Sequence, residues 1–356
     1  MKRVRVLVVD DSPTARLLLV SILRADPEIE VVGQAADGLA AVELVKELHP
    51  DIVTMDVQMP RLDGFAATKR IMVEKPTPIL ITTGLDPRAL SVSLEAVRVG
   101  ALAVHAKPGD PRAPGFDAEA RELTRQVKAM SRVKVVRHLQ FEPASIPVVA
   151  ATSAAALQDG RVEVIAIATS TGGPAALHLI LSALPAEFPV PILVVQHISR
   201  GFTAGFASWL DHACALRVKL AEEGEMLVAG TVYIAGDDRH LCASRSRRVH
   251  LSSAPEVGGF RPSGTPLFDS VAAAYGRNAV AVILTGMGRD GVDGLHAIRK
   301  AGGRTIAESE ATAVVYGMPG AAVQAGVVDF VLPLDQVRST LAGMLVQEAP
   351  GRALTP

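Results

Sequence analysis

Two regions of the chain alternate short apolar runs with segments of helical length, and this alternation constrains the fold more than any other feature. In the first region, strands are predicted at Val4–Val9, Glu30–Ala35, Ile52–Met55, Ile79–Thr82 and Ala101–Ala106. The segments between them predict helices at Thr14–Ala25, Gly38–Leu48, Gly64–Glu74 and Ala89–Val99. Strands that alternate with helices form parallel sheets whose faces are covered. We therefore expect an α/β domain at residues 1–121.

A second alternating region begins at residue 161. Strands are predicted at Val164–Ala168, Ile192–Gln196 and Ala279–Leu284, and helices at Ala175–Leu184 and Phe202–Cys214. Residues 218–255 carry shorter β-rich runs separated by Gly and Asp turns, a pattern that favours hairpins. We expect residues 161–350 to form a doubly wound, mostly parallel α/β domain with a β-hairpin region. Residues 122–160, basic at first and then rich in Ala, Val and Pro, are expected to form a helical extension that runs into an interdomain linker. The alternative is one more packed helix.

The composition limits the compartment and the partners. The chain has 356 residues, 49% of them apolar, and a net charge of −1. The balanced charge gives no reason to expect nucleic acid or an anionic membrane as a partner. Two cysteines do not make a disulfide framework, so free thiols in the reducing cytoplasm are expected. The longest uncharged stretch, Val164–Ala186, is interrupted by the loop Ser170–Pro174, so we expect no membrane insertion.

Polar side chains with compatible chemistry follow several strands of the first region. Asp10 and Asp11 follow the first strand, Asp56 follows the third, Thr82 ends the fourth, and Lys107 follows the fifth. The carboxyl ends of parallel strands meet at one edge of a sheet, so these side chains are expected to lie together. Clustered carboxylates suit Mg²⁺, which keeps water ligands that a phosphate can replace. The alternative, unrelated solvated turn residues, would require five coincident placements.

Residues 1–121 resemble a response regulator receiver domain. The resemblance is carried by Asp10–Asp11, Asp56, Met59–Pro60, Asp63–Gly64, Thr82 and Lys107–Pro108. It implies a flavodoxin-like fold, Mg²⁺ held by the three aspartates, and phosphoryl transfer from a histidine kinase to Asp56. Lys107 and the Thr82 hydroxyl would then contact the phosphoryl oxygens. One departure is Val104, because receivers often have an aromatic switch residue three positions before the lysine.

A serine, a histidine and an aspartate occupy equivalent positions in the second region. Ser170 follows one strand and precedes a helix, His197 follows the next strand, and Asp290 lies in a glycine-rich loop after a third. A serine hydroxyl is a poor nucleophile unless a base removes its proton. His197 would be that base, and Asp290 would orient it and stabilise the imidazolium. The helix N-terminus after Ser170 would hold an oxyanion.

Two other interpretations of the serine loop stay open at this point. The loop Ser170–Pro174 could cradle a phosphate or dinucleotide, although it lacks G-x-G-x-x-G, and Gln196–His197 stands where a ribose-binding acid is expected. It could also cap a helix and carry no chemistry. The order serine, histidine, aspartate differs from that of α/β-hydrolases, but triads recur on unrelated folds.

Residues 161–345 resemble the catalytic domain of the CheB family, the chemotaxis protein-glutamate methylesterases. The resemblance is carried by Ser170–Pro174, Gln196–His197 with Phe202–Thr203, Val232–Ala235 with Asp238–His240, and Thr285–Gly291. It implies Ser170 as nucleophile, His197 as base and Asp290 as the third member of the triad. By the same resemblance, Thr171 and Met287 border the oxyanion site. Thr169 is a small departure, because the family usually has a small apolar residue there.

The two resemblances together imply a cytoplasmic serine hydrolase of chemotactic adaptation. Its substrates would be glutamyl methyl esters, and certain glutamines, on methylated chemoreceptors, with no cofactor for the esterase. The receiver is expected to block the esterase sterically until Asp56 is phosphorylated. The second hypothesis is a non-catalytic docking module. A DNA-binding regulator is a third, but the second region has no basic helix-turn-helix.

Two further histidines flank a basic run in the second region. His240 and His250 lie on either side of Arg245, Arg247 and Arg248. A metal site or a receptor contact is conceivable there, but the pattern favours a solvated hairpin.

Overall fold

The computed structural model describes residues 3–84, 101, 103–133, 162–198 and 200–343, and the chain divides into two compact units. The first unit contains a parallel sheet in the order β2-β1-β3-β4-β5. Its strands are β1 (Val4–Val9), β2 (Ile29–Ala35), β3 (Ile52–Asp56), β4 (Ile79–Thr83) and β5 (Ala103–Ala106). Its helices are α1 (Pro13–Arg24), α2 (Gly38–Leu48), α3 (Gly64–Glu74) and α4 (Phe116–Met130). The helix predicted at Ala89–Val99 lies outside the described residues.

Helix α4 belongs to the core of this first unit. Its residues Leu123, Val127 and Met130 are fully buried and join the cluster that includes Val6 and Leu80 of the sheet. The burial follows from the apolar spacing of three to four residues along the helix. The boundary predicted at residue 121 falls inside α4, and residues 134–160 of the predicted linker lie outside the described residues.

The second unit is built on a seven-stranded sheet in the order β14-β13-β12-β6-β7-β9-β8, in which every pair is parallel. Its strands are β6 (Val164–Thr169), β7 (Ile192–Gln196), β8 (Arg217–Leu220), β9 (Thr231–Ile234), β12 (Ala279–Ile283), β13 (Arg304–Glu308) and β14 (Phe330–Leu332). Its helices are α5 (Gly173–Leu181), α6 (Thr203–Ala213), α7 (Gly264–Tyr275), α8 (Val292–Lys300), α9 (Met318–Gln324) and α10 (Leu334–Gly343). None of the helices within the described ranges is both long and apolar enough to cross a bilayer.

The hairpins expected across residues 218–255 are only partly observed. Strands β10 (His240–Ala243) and β11 (Val249–Ser252) form the predicted antiparallel hairpin. Strands β8 and β9 instead pair in parallel at the edge of the main sheet, because the connection of residues 221–230 returns the chain to the start of the next strand. A two-residue turn joins antiparallel strands, whereas a parallel pair needs a longer crossover.

The topology brings three loops of the second unit together. Strand β6 lies at the centre, with β12 on one side and β7 on the other. The strand order therefore reverses at β6, because β7 is added on one side of it and β12 on the other. In open α/β sheets, ligands bind at such switch points. Ser170, His197 and Asp290 follow these three adjacent strands.

Candidate active site

The five side chains predicted to cluster in the first unit form a compact charged group. Lys107 Nζ lies 2.7 Å from Asp10 Oδ2 and 3.0 Å from Asp56 Oδ1. Carboxylate oxygens of Asp10, Asp11 and Asp56 all lie within 4.8 Å of one another. Thr82 is fully buried at the end of β4, in register with Asp56 of β3. The sheet edge thus gathers the residues that the strand ends predict.

The pKa values of Asp56 and Lys107 depend on their burial and on the contacts between them. Burial and the charge of Asp10 raise the pKa of Asp56 above its ordinary value, although Lys107 opposes the shift. Burial works against the charge of Lys107, but its bonds to Asp10 and Asp56 raise the pKa of the lysine. The lysine therefore stays charged at neutral pH and holds the two aspartates close together.

The donor set fits a hard divalent cation and a phosphoryl group. Three carboxylates within reach of one point are the oxygen ligands that Mg²⁺ prefers. The Oγ1 atom of Thr82 is buried and has no hydrogen-bond partner among the described residues. An unpaired buried hydroxyl is costly, and a phosphoryl oxygen at this edge would give it an acceptor. Val104, the departure from the family pattern, is half-buried beside Ile81.

In the second unit, Ser170 sits at the turn between β6 and α5. Its backbone N–H donates to the Thr285 carbonyl (3.0 Å), and Gly172 has φ of +82°, which lets the chain turn sharply into the helix. Gly286 packs so closely that a Cβ atom there would lie 2.8 Å from the Ser170 Cβ. The backbone at Gly286 and Met287 therefore runs directly beside the serine.

His197 and Asp290 form the hydrogen-bonded pair expected of a triad. Nε2 of the histidine lies 2.9 Å from Oδ2 of the aspartate, and both side chains are at least nine-tenths buried. Strands β6 and β7 are in register at Thr169 and Gln196, so Ser170 and His197 are the next residues on neighbouring strands. The other ring nitrogen, His197 Nδ1, is buried and has no hydrogen-bond partner among the described residues.

Asp290 is held by the N-terminus of α7. The Ser263 hydroxyl donates to its Oδ1 (2.5 Å), and the Gly264 N–H donates to its Oδ2 (2.6 Å). Burial alone would raise the pKa of Asp290, but the bonds from His197, Ser263 and Gly264 hold it below the ordinary value. The helix dipole has the sign that favours a carboxylate at this end. Asp290 is therefore a stable anion at neutral pH.

Thr285 joins the serine loop to the loop that contains Asp290. Its carbonyl accepts from the Thr169 hydroxyl (2.9 Å), and its own hydroxyl donates to the Thr171 carbonyl (2.8 Å). Its N–H donates to Oε2 of Glu308 (2.8 Å), a fully buried acid whose pKa is raised by burial. Thr169 thus braces the loop, and Thr171, predicted at the oxyanion site, is fixed through its carbonyl.

Two residues that sequence reasoning did not place in the site support the triad. Phe260 stacks on the ring of His197, with ring centroids 4.0 Å apart and planes at 2°. His240 is fully buried; its Nδ1 accepts from the Ser263 N–H (3.2 Å), and its Nε2 donates to the Pro255 carbonyl (3.1 Å).

The prediction of a solvated hairpin is therefore wrong for His240. His240 is the first residue of β10, and the apolar residues of β10 and α7 belong to one buried cluster. The stretch Asp238–His240, which carries part of the family resemblance, was the signal that could have identified it. His250 is exposed, as the same interpretation expects. Nothing in the local sequence pattern indicates the role of Phe260.

Comparisons with known proteins agree over nearly the whole chain. Residues 165–341 match the CheB methylesterase family, and residues 6–113 match the response regulator receiver domain. A protein-glutamate methylesterase/protein-glutamine glutaminase of Anaeromyxobacter dehalogenans is 54% identical over 340 residues, which cover 95% of this chain and 98% of the relative. A protein-glutamate methylesterase/protein-glutamine glutaminase of Myxococcus xanthus is 52% identical over 337 residues, which cover 95% of this chain and 96% of the relative.

A solved structure shows the same fold for the second unit. The CheB methylesterase catalytic domain of Thermotoga maritima is 40% identical, with a TM-score of 0.50, and the match covers 51% of this chain and 98% of that one. The family match, the relatives and the shared fold lead to one conclusion. The chain belongs to the CheB methylesterase family, in the form that carries an N-terminal response regulator receiver domain.

Proposed function

We propose that this protein is a phosphorylation-activated serine hydrolase that removes methyl groups from glutamyl methyl esters of chemoreceptors and deamidates certain of their glutamines. The observation that carries the proposal is the 2.9 Å hydrogen bond between His197 and Asp290, next to Ser170 at the switch point of the sheet. Relatives that match nearly the full chain bear the corresponding name.

The geometry assigns a role to each member of the triad. Because Nε2 of His197 faces Asp290, that nitrogen carries the proton, and Nδ1 is the basic nitrogen. Nδ1 takes the proton of the Ser170 hydroxyl as its oxygen bonds to the ester carbonyl carbon. Backbone N–H groups at Thr171 and Met287 would stabilise the oxyanion. The same proton then leaves with methanol, and water hydrolyses the acyl-enzyme; with a glutamine, ammonia leaves instead.

The receiver would be phosphorylated on Asp56 by a histidine kinase. Asp10, Asp11 and Asp56 would hold Mg²⁺, which supplies positive charge next to the transferred phosphoryl group. The Asp56 carboxylate would attack the phosphorus of the kinase phosphohistidine as the P–N bond breaks and the kinase imidazole leaves. Lys107 would contact one oxygen of the transferred phosphoryl group, and the Thr82 hydroxyl would donate to another. The cytoplasmic helices of methylated chemoreceptors would be the protein substrate, and the phosphorylated receiver would relieve inhibition of the esterase.

The proposal is tested by methanol release from methylated receptor membranes, with and without a small-molecule phosphodonor. Ser170→Ala should abolish release, and Ser182→Ala, at an exposed position of the same domain, is the matched control. Phosphodonor and Mg²⁺ should stimulate the wild-type protein but not Asp56→Asn. Methanol release that survives in Ser170→Ala would overturn the hydrolase mechanism and leave a docking module as the better hypothesis.

A further inference from the structure

At the ends of strands β6 and β7 the backbone carbonyls of Ser170 and His197 lie close together, and the Ser170 carbonyl accepts the Gly173 N–H (2.9 Å). The last ladder bond of this pair runs from the His197 N–H to the Thr169 carbonyl (2.9 Å). One residue further, the carbonyls of Ser170 and His197 both lie within reach of the same side chain. Two carbonyl oxygens cannot bond to each other, but a donor that reaches both can join the two backbones beyond this last ladder bond.

Gln196 supplies that donor. Its Nε2 lies 2.8 Å from the Ser170 carbonyl and 2.8 Å from the His197 carbonyl. A side-chain amide nitrogen carries two hydrogens, one for each carbonyl, whereas its oxygen carries none. The pair of acceptors therefore fixes which way the amide points.

The surroundings leave this amide little freedom. Gln196 is 3% exposed, and its Oε1 is buried with no hydrogen-bond partner among the described residues. A Cβ atom on Gly173 would lie 2.1 Å from that oxygen, so the first turn of α5 accommodates the amide only because residue 173 is glycine. An unpaired buried acceptor costs free energy. The two donated bonds offset that cost and hold the amide in place.

We infer that Gln196 is a positioning residue, which sets the distance between the nucleophile and the base by tying the backbones of Ser170 and His197 together. The inference rests on the proposed hydrolase function, because it concerns the same pair of residues. The ladder between the two strands ends at the His197 N–H, so the amide of Gln196 adds one further link between the strands, beside Ser170 and His197. Displacements of about 1 Å between reacting groups can cost about 100-fold in rate.

Two variants that preserve volume test the inference. Gln196→Met removes both donors, and Gln196→Glu replaces them with a carboxylate that faces two carbonyls. Each should lower kcat for methanol release about 100-fold, with KM within twofold of wild type, because the substrate contacts are unchanged. Gln324→Glu makes the same change at an exposed position of this domain and should leave both constants unchanged.

The pH profile separates positioning from a merely structural role. When protonated, the acid introduced by Gln196→Glu can donate to one of the two carbonyls, so its deficit relative to wild type should shrink as pH falls. The deficit of Gln196→Met should stay constant with pH. Comparing each variant with wild type at the same pH removes the titration of the triad itself.

The outcomes distinguish this inference from the function on which it rests. If wild type releases methanol, Ser170→Ala does not, and folded Gln196 variants keep their kcat, the positioning role is overturned and the hydrolase stands. Loss of folding in both variants would also overturn it, because Gln196 would then stabilise the fold rather than position the pair. If wild type releases no methanol, the proposed function itself fails.

Discussion

The two sites of this protein each bury an aspartate after a strand of a parallel sheet, yet the pKa values of the two side chains move in opposite directions. Burial raises the pKa of Asp56, and the neighbouring charge of Asp10 adds to that shift. Asp290 is as buried, but its pKa is lowered. The difference lies in the donors: Asp290 accepts from Ser263, Gly264 and His197.

The comparison shows that the environment of a buried carboxylate matches its task. Asp290 needs a permanent negative charge beside His197, so a helix N-terminus and a hydroxyl supply fixed donors. In the proposed phosphoryl transfer, Asp56 would need oxygens that are free to bind Mg²⁺ and to attack phosphorus. Its site keeps acids adjacent, and Lys107 contacts both Asp10 and Asp56. In both units, loops at the ends of parallel strands position the pair. The contact between His197 and Asp290 is held in place by further donors, whereas the contact between Lys107 and Asp56 would change on phosphorylation.

The largest effect on catalysis is expected at the pair formed by His197 and Asp290. Asp290→Asn keeps the shape of the side chain but removes the charge that holds the proton on Nε2 of His197. We expect kcat for methanol release to fall about 10³- to 10⁴-fold, because Nδ1 would no longer be the basic nitrogen. Steady-state kinetics on the full chain measure the change.

Asp293→Asn is the matched control, because that residue is 78% exposed and pairs with Arg289 on the surface. Its kcat should be unchanged. A kcat for Asp290→Asn within tenfold of wild type would show that the pair does not orient the base.

The next largest effect is expected at Lys107, which pairs with Asp10 and Asp56. Lys107→Met leaves the three aspartates without their cation, so phosphoryl transfer to Asp56 loses its charge compensation. We expect stimulation by phosphodonor and Mg²⁺ to slow about 100-fold, while basal methanol release stays unchanged. Lys69→Met, at an exposed position of the same domain, should respond as wild type does. Stimulation of Lys107→Met at the wild-type rate would exclude the lysine from phosphoryl transfer.

Much of both sites could be predicted from the sequence, because the relevant residues follow strands. A parallel sheet aligns its strand ends, so an apolar run that ends in Asp56, Ser170 or His197 already places that side chain at the functional edge. The start of α1 has a local cause too, since Ser12, directly before Pro13, accepts a hydrogen bond from the Ala15 N–H. Local patterns predict these features because local geometry determines them.

The supporting residues were harder to predict, because tertiary packing alone selects them. Phe260 reaches His197 from a distant loop, and His240 reaches Ser263 from a hairpin strand. The parallel pairing of β8 and β9 has the same origin, since runs separated by turn residues favour a hairpin until the sheet edge offers a better partner. Sequence periodicity contains no information about these long-range contacts.

A smaller effect is expected at His240, which supports Asp290 through Ser263. His240→Leu removes the acceptor of the buried Ser263 N–H, and Ser263 in turn holds Oδ1 of Asp290. We expect unfolding free energy to fall by about 1–3 kcal/mol and kcat to fall roughly tenfold, since the carboxylate is held less firmly. His250→Leu, at a 58% exposed position, is the control. Wild-type kcat in a folded His240→Leu protein would confine this histidine to stability.

The smallest effect concerns thermal stability, because the pKa values of Asp56 and Asp290 shift in opposite directions. Because the folded-state pKa of Asp56 is raised, its ionisation costs stability at neutral pH, even with Lys107 beside it. Asp56→Asn should therefore raise the thermal midpoint of the receiver by a few degrees at pH 7 without Mg²⁺, as measured by calorimetry.

The pH dependence of these midpoints tests the same contrast. The advantage of Asp56→Asn should vanish as pH falls from the raised pKa to the ordinary value of 3.8, since the wild-type acid is then protonated in both states. Asp290 contributes in the opposite sense: its stabilisation is present above pH 3.8 and is lost as pH falls through its lowered pKa. Asp290→Asn should therefore lower the midpoint of the catalytic domain at pH 7. Shifts of the same sign in the two variants would mean that burial, rather than the donors around each carboxylate, controls its ionisation.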